Sequence, residues 1–195
     1  MRDTKERILS TALELFAAEG YEAVSVREIA DALGVTKGAL YRHYASKRAI
    51  FESILARMEA RDAEQARAFA LPEAGEDCRA VDAAQIAAFS KAMFRYWTQD
   101  GFAAQFRRLL TVEQYRSEEM SRLYQQYLVS GPIGYVAELF AARGVARPRE
   151  EAARFYAPMF LLYSVSDGAA DKAETAVLAD RLIEDALARL NGKGG

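Results

Sequence analysis

The chain has 195 residues, 51% apolar and 28% charged, with a formal net charge of −2, enough length for a sizeable core in one large or two small domains. A single cysteine, Cys78, excludes an internal disulfide and suits a reducing cytoplasm, and apolar runs far shorter than about 18 residues exclude a membrane span. One histidine, no metal-ligand spacing and no phosphate loop leave no basis for an enzyme, so no catalytic residue, metal or cofactor is expected.

In chain order, Asp3 or Thr4 can cap a first helix whose Ile8, Ala12, Leu15 and Phe16 form an apolar stripe ending at Gly20. Arg2, Lys5 and Arg7 lie on this helix as solvated cations or as phosphate contacts. Residues 24–46 then carry two short helices in close succession. Ser25 followed by Glu28 is a capping box, and Val26, Ile29, Ala30 and Leu33 give the helix that follows one buried face before Gly34 turns the chain. Val35 can plug the gap between elements, Thr36 can cap the second helix, and Leu40 and Tyr44, four apart, form its inward stripe. This is a helix-turn-helix pattern.

The outward face of the second helix carries Thr36, Lys37, Gly38, Ala39, Tyr41, Arg42 and His43. Small residues there permit close approach to a major groove, a hydroxyl or cation can read base edges, and the larger donors can reach phosphates. Ser25 and Arg27, at the start of the first helix of the pair, and Lys47, beyond the second, complete the candidate DNA-binding set. Ser46 can cap a fourth helix that opens on Lys47 and Arg48, two cations opposed to the helix dipole, a cost that a docked phosphate would offset. Between Arg27 and Arg48, five cations against Glu28 and Asp31 leave +3 in a chain that is acidic overall, which favours one docking face over general coating of DNA.

The run VREIADALGVTKGALYRHYASKRAIF, with ILSTALELFAAEGYEAVS before it, resembles the DNA-binding domain of the TetR family of bacterial transcription regulators over about the first quarter of the chain. The resemblance implies an all-α fold: a three-helix DNA-binding domain over residues 1–46, then a ligand-binding and dimerisation bundle over residues 47–195, joined by a helix over 47–69. It makes residues 35–44 the recognition helix, sets Tyr41 and His43 on phosphates and Lys47 on the DNA backbone, and leaves Tyr44 in the packing.

The rest of the chain reads as helices. Pro72 and Gly75 mark a long connection, followed by a helix over 82–98 with Ile86, Phe89, Met93, Phe94, Tyr96 and Trp97 on one broad side. After Asp100 and Gly101, Phe102, Phe106, Leu109, Leu110 and Glu113 share a stripe, which places a carboxylate in an apolar line. Glu113 is then either an ion pair, with Arg107 or Arg116 among the partners, or the polar anchor of a ligand cavity. Ser130, Gly131 and Pro132 should kink or divide the next helix, Pro148 opens another, and Pro158 predicts a bend within it. A last amphipathic helix spans 171–190, and NGKGG reads as a frayed tail.

Phe155, Tyr156, Met159, Phe160, Leu162, Tyr163 and Val165 are apolar nearly all round, more than a monomer core needs, so the chain is expected to form a homodimer that reads a palindromic operator in double-stranded DNA. The expected function is transcriptional regulation, namely repression relieved by a small-molecule effector. Candidate effector contacts are Met93, Trp97, Phe106, Leu110, Glu113, Tyr124, Tyr127 and Tyr156. Core packing is the competing account of these aromatics. The alternative function is an architectural or cell-division DNA-binding protein on the same scaffold with no effector.

Overall fold

A computed structural model describes residues 2–72 and 74–192; of the tail, Lys193 and the two glycines lie outside the described residues. The fold is all-α, with ten helices and no strand among the described residues. The chain forms two compact units, one from residues 1–61 with 101–124 and one from 62–100 with 125–195.

The first unit holds α1 (Arg2–Glu19), α2 (Val26–Ala32), α3 (Lys37–Tyr41), most of α4 (Lys47–Ala68), α6 (Gly101–Glu113) and the start of α7 (Glu118–Leu128). Helix α1 packs on α2 and α6, and α2 packs on α3. Ile8, Leu13 and Phe16 of α1, Ile29 of α2, Leu40 of α3, and Ile50, Phe51, Ile54 and Met58 of α4 are almost fully buried. Burial of each such side chain contributes about 1.5–3 kcal/mol, which fixes the short helices α2 and α3 where their own length could not.

The second unit holds α5 (Ala83–Gln99), α8 (Ser130–Ala142), α9 (Pro148–Gly168) and α10 (Lys172–Gly192), with the ends of α4 and α7. Asp82 and Gln85 form a capping box on α5. Helix α9 packs against α8, α10 and α5, and α10 also lies on α5. Phe94 of α5 stacks on Tyr163 of α9 at 5.6 Å, and Phe140 of α8 meets the edge of Phe155 at 5.5 Å. Arg95 clasps both carboxylate oxygens of Asp180 at 2.9 and 2.6 Å, and Lys91 pairs with Glu184, so the α5–α10 seam is closed by charge as well as packing. Among the described residues no helix is long and apolar enough to cross a membrane.

Three local expectations change. The recognition helix covers only Lys37–Tyr41, because Thr36 is extended and caps it, its hydroxyl accepting the Ala39 N–H at 3.1 Å. Val35 does not plug a gap: its N–H donates to Ala30 O, but its side chain stays 39% exposed. The division between α7 and α8 falls at Val129, ahead of Gly131 and Pro132. There the backbone doubles back so closely that a Cβ on Gly131 would sit 1.8 Å from Gln126 O, so the site accepts only glycine without a shift of the main chain.

Candidate nucleic-acid interface

Local geometry shapes the helix-turn-helix. Ser25 accepts the Glu28 N–H at 3.2 Å while the Glu28 carboxylate accepts the Ser25 N–H at 2.6 Å, and this bonding holds the Glu28 carboxyl below its ordinary value. Gly34 takes φ +69, and Leu40 and Tyr44 turn inward, 1% and 9% exposed. With those side chains committed to the core, Thr36, Lys37, Gly38, Tyr41 and Arg42 are left exposed, and Ala39 and His43 half-buried. The Lys37 ammonium lies 5.6 Å from the Tyr41 ring centroid, so the cation and the phenol share one side of α3. Ser25 and Arg27 are also exposed, Arg27 within 3.7 Å of the Asp31 carboxylate.

A shallow apolar hollow of about 50 Å³ lies along the edge of this face, lined by Ile8, Leu33, Val35, Ala39 and Leu40 with Thr4, Arg7 and His43. The first turns of α1 therefore border the same surface as α3. The side chains of Arg2 and Asp3 lie outside the described residues, and with them the capping role expected of Asp3.

The two cations that open α4 have partners inside the chain. Lys47 Nζ donates to Tyr21 O at 2.8 Å and Glu22 O at 3.3 Å, and stands 4.5 Å from the Tyr21 ring centroid. Arg48 grips both oxygens of Glu119 at 2.7 Å and takes Glu52 at 2.8 Å. The guanidinium in turn holds the Glu119 carboxyl below its ordinary value. The cost of cations at a helix N-terminus is thus offset without a phosphate. The Arg48–Glu119 pair spans 71 positions and carries no local sequence signal.

The eight candidate effector contacts fall four to each unit. Phe106, Leu110, Glu113 and Tyr124 belong to the first, and Met93, Trp97, Tyr127 and Tyr156 to the second. In the second unit Trp97 meets the edge of Tyr127 at 6.4 Å, and the Tyr156 hydroxyl donates to Leu128 O at 2.9 Å, so the aromatics are knit together. A cleft of about 230 Å³ in this unit is lined by Glu151, Arg154, Phe155, Ala186, Arg189 and Leu190, none of them among the eight. Glu113, 1% exposed, accepts the Tyr21 N–H at 3.3 Å and pairs with Arg116 at 3.5 Å, which favours the ion-pair account over the ligand anchor.

Fold and exposed face together define an all-α helix-turn-helix protein. Residues 8–54 match the family described as bacterial regulatory proteins, tetR family. The chain is 45% identical over 53 residues to the uncharacterized HTH-type transcriptional regulator YerO of Bacillus subtilis (strain 168), a stretch covering 27% of this chain and 18% of that one. It is 30% identical over 95 residues to the tetracycline repressor protein class D of Escherichia coli, covering 49% and 42%. The matched stretch thus spans less than half the length of either relative. A solved TetR-family transcriptional regulator from Bordetella parapertussis 12822 superposes with a TM-score of 0.68 over 96% of this chain and 95% of that one, at 17% identity, a likeness of fold.

Proposed function

We propose that this protein is a sequence-specific DNA-binding transcriptional regulator, a repressor whose grip on its operator is released by a small-molecule effector. The observation that carries the reading is the face of α3: a capped helix that buries Leu40 and leaves Thr36, Lys37, Gly38, Tyr41 and Arg42 open to a groove. Base reading falls to Thr36, Lys37, Gly38 and Ala39. Ser25, Arg27, Tyr41, Arg42, His43 and Lys47 contact the phosphate backbone, and a chromosomal target sets the protein to work in the cytoplasm.

One five-residue helix reads few base pairs, so the protein acts as a homodimer on a palindromic site with half-sites one helical turn or a multiple apart. The exposure of Phe160, Leu161 and Val165 of α9 and of Val177 and Leu178 of α10, 39–65% each, supports a dimer surface in the second unit. The similarity to a protein named tetracycline repressor supports effector control. The effector would contact Met93, Trp97, Tyr127 and Tyr156 in the second unit. It acts on the head through α4 and α7, helices whose chains continue from one unit into the other. A coupling of about 1–3 kcal/mol changes operator affinity roughly 5- to 150-fold.

The test is recovery of fragments from the organism's own sheared genome by purified protein, followed by footprinting of what is retained. A protected inverted repeat is expected; uniform coverage with no preferred fragment refutes the reading and leaves an architectural role.

A further inference from the structure

Several segments of the first unit converge on the turn between α1 and α2, at Gly20, Tyr21 and Glu22. Lys47 of α4 donates to the carbonyls of Tyr21 and Glu22. Phe16 of α1 and Phe51 of α4 pack on the Tyr21 ring with centroids at 5.1 and 5.0 Å. From the far end of α6, Glu113 Oε1 accepts the Tyr21 N–H at 3.3 Å and is steadied by Arg116 at 3.5 Å. Gly20 has φ +94, and a Cβ there would lie 2.8 Å from the same carboxylate oxygen. The turn and the acid are therefore fitted to each other. A carboxylate this deeply buried is costly unless paired and hydrogen-bonded, so the fold keeps it in one place.

What that place controls is the approach to the reader. Three residues after Tyr21, Val24 is buried, and Ser25 then caps α2, the helix on which α3 packs. A second fastening lies nearby in the chain, where Glu119 at the start of α7 holds Arg48 of α4.

We propose that Glu113 is a positioning residue for DNA reading: its carboxylate fixes the α1–α2 turn on the end of α6 and so sets the orientation of α2 and α3, with the Glu119–Arg48 pair as an outer fastening. Helix α6 and the first turn of α7 then move with the reader as one body. This rests on the DNA-binding function proposed above, and it assigns Glu113 to the head rather than to an effector.

The test compares two duplexes, a genomic fragment retained by the wild-type chain and a scrambled duplex of equal length and composition. Glu113→Ala removes both bonds, whereas Glu113→Gln keeps an oxygen to accept the Tyr21 N–H. The alanine variant should lose about 5-fold or more in affinity for the retained fragment. Its affinity for the scrambled duplex should hold, because the exposed cations are untouched. The glutamine variant should recover most of the loss. Glu119→Gln, at a partly exposed position, should weaken discrimination in the same direction by less. Equal losses on both duplexes, or discrimination equal to wild type, overturn the proposal. If circular dichroism shows Glu113→Ala unfolded, Glu119→Gln decides the matter, and unchanged discrimination in that variant overturns the proposal. A wild-type chain that retains no fragment at all overturns the DNA-binding function itself, and this proposal with it.

Discussion

Lys37 and Lys47 are both cations of the first unit, yet their surroundings suit them to different tasks. Lys37 stands exposed beside the Tyr41 ring, with nothing of the core depending on it. Replacing it with alanine should alter base preference, measured as relative affinity across a set of single-base operator variants; equal weakening on every variant would reduce it to a phosphate contact. Lys47 is half-buried and already serves two carbonyls. Lys47→Ala should weaken binding to all duplexes alike and make the dependence of log affinity on log salt shallower by about one unit. A lower thermal midpoint with an unchanged slope would assign Lys47 to the turn alone. The sequence marks both residues as cations near a helix start, and only the fold shows that one of them is engaged.

At the scale of the elements, what could be read in advance is what the backbone settles within a turn or two. The Ser25–Glu28 box, the inward Leu40 of α3 with Tyr44 just beyond it, and Pro148 at the head of α9 all follow from spacing and capping chemistry. The α7–α8 junction does not. Proline and glycine signalled a break at residues 130–132, but Val129 absorbs it with φ −130 and ψ −87, and α8 restarts at Ser130. The tight return places Gly131 against Gln126 O. Gly131→Ala should therefore destabilise the protein by about 1–3 kcal/mol in a urea titration, the ordinary cost of overpacking. Stability equal to wild type would mean that the main chain yields there.

For the whole molecule, the distribution of exposed apolar area matters most. Leu161 is 65% exposed and Leu178 45%, one on each of the last two helices of the second unit. A homodimer that covers them repeats each contact twice by symmetry. The double substitution Leu161→Glu with Leu178→Glu should raise the dimer dissociation constant roughly 100-fold or more, read by light scattering over a dilution series. Binding to a two-half-site operator should fall with it, while circular dichroism stays that of wild type. A dimer that survives both charges would move the interface elsewhere.

The sequence by itself determined the helical class, the helix-turn-helix and the residues of its outward face, because caps, turn residues and apolar periodicity act over a few positions and need no knowledge of what packs where. The long-range partners of the charged groups were settled by packing alone. Glu113 meets Tyr21 across 92 positions and Glu119 meets Arg48 across 71. The partner of a long polar side chain is chosen by which helices lie side by side, and burial then makes that choice obligatory, since an acid withdrawn from water must find its donors wherever the packing has put them.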